Sequence, residues 1–160
     1  MRPSTLAKTA GGSFAAAAIG AVATRTSVQT TWFRRLKKPS FQPPSQAFPI
    51  VWNILYSDIS AVSASTLDTL NDRGDTEQAR AYTRALAGNL VLNAGWSWVF
   101  FNRHKLGAAA ALAGALTVSS ADLARRAAAV NAPAGAALAP YPLWCAFATV
   151  LSTRIWLLNR

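Results

Sequence analysis

Cysteine and histidine are almost missing from this chain, which has one of each in 160 residues. Cys145 lies in an apolar run and has no second cysteine with which to form an internal disulfide. His104 stands between Arg103 and Lys105, where a solvated, interfacial side chain is expected. Such a pair cannot furnish a dedicated His/Cys metal site, and no metal is expected. Acidic residues are also scarce, six against sixteen Lys and Arg. Charged residues make up 14% of the chain, where a soluble protein carries about one-quarter. That leaves too little charged surface for a fold in water. No stretch alternates apolar and polar residues as a half-buried strand does.

What is present is apolar, at 52%, although abundant alanine holds the mean hydropathy to +0.20. The net charge of +10 could suit nucleic acid, but a nucleic-acid binder clusters its basic residues on one face among exposed aromatics. Here they gather between apolar segments, as Arg34, Arg35, Lys37 and Lys38, then Arg103 and Lys105, then Arg125 and Arg126. Flanks of membrane spans look like this, and no nucleic-acid partner is expected. Five stretches approach the roughly 20 apolar residues that cross a bilayer, near 6–24, 48–67, 81–101, 106–124 and 136–158. The expected fold is an all-α integral membrane bundle of five transmembrane helices, forming one domain over 1–160. Short polar segments such as "DTLNDRGDTEQAR" and "NRHK" read as the connections.

The first stretch has a rival reading as a signal peptide, with "AVA" at Ala21–Ala23 as its cleavage site. Its apolar core is poor in leucine and diluted by Gly11 and Gly12, so it is expected to stay in the mature chain. Gly12, Ala16 and Gly20 then form a small-xxx-small stripe suited to close helix approach, and Gly107, Ala111 and Ala115 form another. With five spans, the C-terminal side carries nine basic residues against seven opposite. This places the C-terminus in the cytoplasm by a small margin.

Three segments carry aromatic and polar residues at helical spacing. These are Phe48, Trp52 and Tyr56; Asn89, Asn93, Trp96 and Phe100; and Tyr141, Trp144, Cys145, Ala148 and Ser152. Interfacial anchoring accounts for Trp32 and Trp156, but an amide such as Asn93 within a bilayer must find a partner. Aromatic faces with a few converging polar groups also describe a pocket for a flat apolar ligand. Spacing alone leaves pocket and packing both open. Before the first face runs "KPSFQPPSQAFP", in which Pro39, Pro43 and Pro44 stiffen the chain and Pro49 falls in the first turn of the next helix. Asp58 is an intramembrane carboxylate pointing away from the Trp52 face, and a polar contact between helices or protomers is expected of it.

Three ordered motifs, from Trp32 to Ser152, resemble the TspO/translocator-protein family, also called tryptophan-rich sensory proteins or peripheral-type benzodiazepine receptors. They are Trp32 followed by "LKKPSFQPPSQAFPIVWNILY", then "NLVLNAGWSWVFF", then "PYPLWCAFATVLS". The resemblance implies five transmembrane helices, a homodimer, and a cavity near the first connection for porphyrins, sterols and benzodiazepine-type ligands. By motif, Trp52, Asn93 and Trp144 fall in that cavity, with Ala148 one turn from Trp144. Phe48, Tyr56 and Trp96 complete the expected ligand-binding set. The implied function is a receptor or carrier for porphyrin-like tetrapyrroles such as protoporphyrin IX or heme, with a sensory role and no required cofactor. Light-dependent porphyrin breakdown by cavity tryptophans, or transport, are the alternatives. No acid/base pair or nucleophile supports ordinary catalysis, and no catalytic residue is assigned. The chain departs from the family at Phe41, where tryptophan is usual, and at Thr153 and Arg154, which replace the tyrosines of the animal sterol motif.

Overall fold

A computed structural model describes residues 1–160, all but the side chain of Thr26. Among the described residues the chain is all-helical. It comprises α1 (Pro3–Ser27), α2 (Thr31–Arg35), α3 (Ala47–Asp72), α4 (Thr76–Ser97), a π turn (Trp98–Asn102), α5 (Leu106–Val130), α6 (Ala132–Leu138) and α7 (Pro140–Leu158). The long helices close into a ring in which α3 packs on α1, α1 on α4, α4 on α5 and α5 on α7. The ring is completed by α6 against α3, while α3 and α7 touch only narrowly.

Three stretches are long and apolar enough to cross a membrane: Pro3–Arg25, Leu106–Val130 and Ala132–Leu158. The helices α3 and α4 fall outside that set because they carry more polar residues, several of which turn inward. Ser60, Ser63 and Thr66 of α3 and Asn89, Asn93 and Ser97 of α4 are buried. Their hydroxyls and amides bond within the bundle, for example Ser60 Oγ to the Tyr56 carbonyl at 2.6 Å and Ser63 Oγ with Tyr82 Oη at 3.1 Å.

Helix ends lie beyond the apolar stretches, for local reasons. The polar segment 68–80 is mostly helical because α3 ends in a tight cap at Gly74, whose φ of +72° suits glycine. There Asp75 N–H donates to the Leu70 carbonyl and Gly74 N–H to that of Asn71, the paired bonds of a Schellman motif. Asp75 then starts α4, its carboxylate accepting from Gln78 N–H at 3.1 Å. The fifth apolar stretch, read as continuous from 136, instead begins at Ala132 and is broken between α6 and α7. Pro140 and Pro142 lack the N–H groups that would continue the helical ladder across Ala139.

The stripe Gly12–Ala16–Gly20 packs α1 against α4 within one chain. A Cβ on Gly12 would meet Leu90 at 3.5 Å, and one on Gly20 would meet Ser97 Oγ at 3.1 Å. In the second stripe Gly107 faces the Trp156 indole, whereas Ala111 and Ala115 look outward.

The π turn extends α4, with Arg103 N–H reaching back five residues to the Trp98 carbonyl at 3.1 Å. It brings the consecutive residues Phe100 and Phe101 both into the interior, with ring centroids 4.8 Å apart. Ser27 Oγ donates to the Phe101 carbonyl at 3.0 Å. His104 follows at a φ of +53° and stacks on Trp32 at 3.8 Å.

At the opposite end of the bundle Asp68, beyond the expected span of α3, holds the start of α1. Thr5 Oγ1 donates to Asp68 Oδ1 at 2.6 Å, and Arg2 N–H donates to Oδ2. The Thr5 hydrogen bond, helped by that from Arg2, holds the Asp68 carboxyl below its ordinary value despite burial. A depressed folded-state pKa stabilises the fold above the ordinary carboxylate value of about 3.9 and ceases to do so as pH falls through the lower, folded value. Amide protection in the first turns of α1, taken relative to the intrinsic exchange rate at each pH, should therefore fall on acidification below about pH 4, and Asp68→Asn should show the lower protection already at neutral pH. Pairing at Asp68 is refuted if the wild-type exchange pattern is unchanged in Asp68→Asn at both pH values.

Candidate ligand-binding site

The segment between α2 and α3 is held by turns and by one clasp. Gln42 N–H donates to the Pro39 carbonyl at 3.1 Å, and Ala47 N–H to that of Pro44 at 2.9 Å. At the far end of α7, Asn159 accepts from Lys37 N–H and donates to the Lys37 carbonyl, both at 2.9 Å. Pro39 is buried and Phe41 reaches Phe147 of α7, ring centroids 6.4 Å apart. The loop therefore lies across the ends of α3 and α7.

Beneath it the expected site residues divide into three groups. The first is an aromatic wall: Phe48 meets Trp144 edge-on at 5.9 Å, and Trp144 meets Phe147 at 5.3 Å. Trp144 Nε1 is buried with no hydrogen-bond partner among the described residues, and Ala148 is half-buried on the same helix. The second group lies deeper, where Trp52 packs on Tyr56 at 5.6 Å and edge-on to Tyr141 at 6.4 Å. The third is separate: Trp96 stacks on Phe100 at 5.5 Å and meets Phe101 edge-on at 6.1 Å, next to the π turn.

Asn93 belongs to a directed chain of hydrogen bonds across four helices. Tyr56 Oη donates to Asn93 Oδ1 at 2.7 Å, and Asn93 Nδ2 donates to Tyr141 Oη at 3.2 Å. Tyr141 Oη donates to Asn89 Oδ1 at 2.7 Å, and Asn89 Nδ2 donates to Ser119 Oγ at 3.1 Å. Each group both accepts and donates except the first donor, Tyr56, and the last acceptor, Ser119, so the run satisfies buried amides and phenols that would otherwise be costly in a bilayer. The amide of Asn93 thus has protein partners on both its oxygen and its nitrogen.

A groove of about 410 Å³ opens between α3 and α7, lined by Val51, Ile54 and Leu55 on one side and Leu143, Trp144 and Phe147 on the other, with Pro140 at one end. Of the expected residues only Trp144 lines it directly. Phe48 stands against Trp144, while Trp52, Tyr56 and Asn93 are packed behind. The volume is within the roughly 300–1,000 Å³ of small-molecule sites. Phe41 and Phe147 join the wall without having been singled out for it; Phe147 was legible as the residue three places after Trp144 on one helix face. No sequence signal marks Asn159.

The TspO/MBR family profile matches residues 9–157, nearly the whole chain. The chain belongs to the TspO/MBR family. Among its relatives, human translocator protein is 35% identical over 127 residues, which is 78% of this chain and 73% of the relative. Translocator protein of Ovis aries is 32% identical over 132 residues, covering 81% and 75%. The tryptophan-rich sensory protein of Cereibacter sphaeroides is 30% identical over 145 residues, covering 89% and 87%. As a TspO/MBR member with three helical stretches long and apolar enough to cross a membrane, the chain is a membrane protein.

Proposed function

We propose that this protein is a five-span membrane receptor or carrier for porphyrin-like tetrapyrroles, such as protoporphyrin IX, that acts as a homodimer in sensing or stress regulation. The observation that supports it best is the aromatic wall Phe48–Trp144–Phe147–Phe41 under a proline-stiffened loop clasped to α7. Flat conjugated rings stack on such walls, and a loop with few states to lose covers a ligand at low entropic cost. Five spans follow from counting α3 and α4, which at 1.5 Å per residue are about 39 and 33 Å long against a hydrocarbon core of about 30 Å. The polar residues they bury lower the hydropathy of each helix without themselves facing lipid. The basic flanks then favour a cytoplasmic C-terminus.

The test is quenching of intrinsic fluorescence by protoporphyrin IX in detergent, with helicity checked for each variant. Trp144→Phe should weaken binding by about 1 kcal/mol, a factor of about five. Trp156→Phe should leave it unchanged, because Trp156 is 39% exposed and packs over Gly107, away from the wall. Equal losses in the two variants would refute the assignment. Absorbance of the bound tetrapyrrole in dark and light separates receptor from enzyme, since only turnover destroys the pigment.

A further inference from the structure

The face of α3 that lines the groove carries one residue the tetrapyrrole reading does not use. At about 100° per residue, Val51, Ile54, Leu55 and Asp58 fall in one stripe, with Asp58 near its centre. The ring contacts Phe48–Trp144 and Trp52–Tyr141 show α3 and α7 running antiparallel. The next turn of α3, which bears Asp58, therefore lies towards the α6–α7 junction, and α6 packs on α3. Asp58 Oδ2 is buried without a hydrogen-bond partner, and none of the ion pairs among the described residues includes Asp58. The junction adds acceptors rather than donors: Pro142 has no N–H to offer the Leu138 carbonyl, and α6 ends there.

A carboxylate near the middle of a span, beside the carbonyl end of a broken helix, is a setting that favours a cation. The groove lined by the turns of α3 just before it is apolar and open at its lip, where Ile54 is 63% and Leu143 70% exposed. Those side chains face lipid in a bilayer. We propose that the α3–α7 groove binds a single-chain lipophilic amine that enters sideways from the bilayer, its ammonium on Asp58 and its hydrocarbon along Ile54, Leu55 and Leu143. This assignment rests on charge complementarity and on α3 spanning the membrane, and is independent of tetrapyrrole binding.

The experiment uses the full chain in phosphatidylcholine nanodiscs, with tritiated dodecylamine and dodecanol as probes and protein-free discs as background. Wild type should bind the amine at least tenfold more tightly than the alcohol. Asp58→Asn should bring the amine down to the level of the alcohol and leave the alcohol unchanged, while Asp58→Glu keeps part of the preference. Leu143→Trp, which narrows the lip without touching Asp58, should weaken both probes. Equal binding of amine and alcohol by wild type overturns the proposal, as does a preference that survives Asp58→Asn. A changed dimer fraction in Asp58→Asn with the amine preference intact assigns the groove to contact between two copies, and also overturns it.

Discussion

Gly135→Ala should lower the thermal stability of the detergent-solubilised protein more than any other glycine-to-alanine change. A Cβ at Gly135 would stand 2.3 Å from Ala128 Cβ, 2.6 Å from its Cα and 2.8 Å from its backbone nitrogen. Two of those atoms are backbone, so no rotamer change relieves the clash and α6 must move off α5. Overpacking of this kind costs about 1–3 kcal/mol, occasionally more. Ala128→Gly combined with Gly135→Ala removes the closest contact but leaves the two backbone ones, so rescue should be partial. Gly88→Ala is the reference: nothing lies within 4 Å of its Cβ position, and alanine is the better helix former by about 1 kcal/mol. A melting temperature that falls as far for Gly88→Ala as for Gly135→Ala would contradict the close approach of α5 and α6.

The hydrogen-bond chain through the bundle predicts a graded series. Tyr141→Phe removes a hydroxyl that accepts from Asn93 and donates to Asn89, leaving two buried amides short of a partner. Tyr56→Phe removes only the donor at one end, and Asn93 keeps its bond to Tyr141. Each stranded polar group costs about 1–3 kcal/mol in water-soluble proteins. Interhelical bonds in membranes average nearer 0.6 kcal/mol, because the separated helices find other partners. Tyr141→Phe should therefore lower the melting temperature about twice as far as Tyr56→Phe. The double variant should lose less than the sum, since both changes act on Asn93. Strict additivity, or a larger loss from Tyr56→Phe, would mean that the bonds do not act as a chain.

Helical class and membrane character were legible because they rest on composition and on apolar stretches, which survive any detail of packing. The aromatic faces of α3 and α7 were legible from spacing, and Phe48 does meet Trp144. The partners of Asn93 were not, because helical spacing gives a direction and not the element facing it. Trp96 lies on one face with Asn93 in the sequence, yet it packs with Phe100 and Phe101 beside the π turn. The π turn and the break at Ala139 escaped notice for different reasons. "WVFFN" holds no glycine or proline to announce irregular backbone, whereas Pro140 and Pro142 fall inside the stretch 136–158 that apolar length alone joins into one helix. The clasp by Asn159 joins residues 122 positions apart, and no local pattern encodes it.

The π turn can also be viewed as an insertion. It holds one residue more than an α-helical turn would, accommodated within a single rotation. Deleting a single residue within Trp98–Asn102 would let the α-helical ladder of α4 run on uninterrupted. Because a π turn and an α turn each complete one rotation, the segment beyond would keep its direction. Only one ring could then occupy the interior that Phe100 and Phe101 share. The shorter chain would be the more regular helix and the worse neighbour, because Trp32 and Phe33 of α2 meet Phe100 and Phe101 respectively and one of those contacts would go.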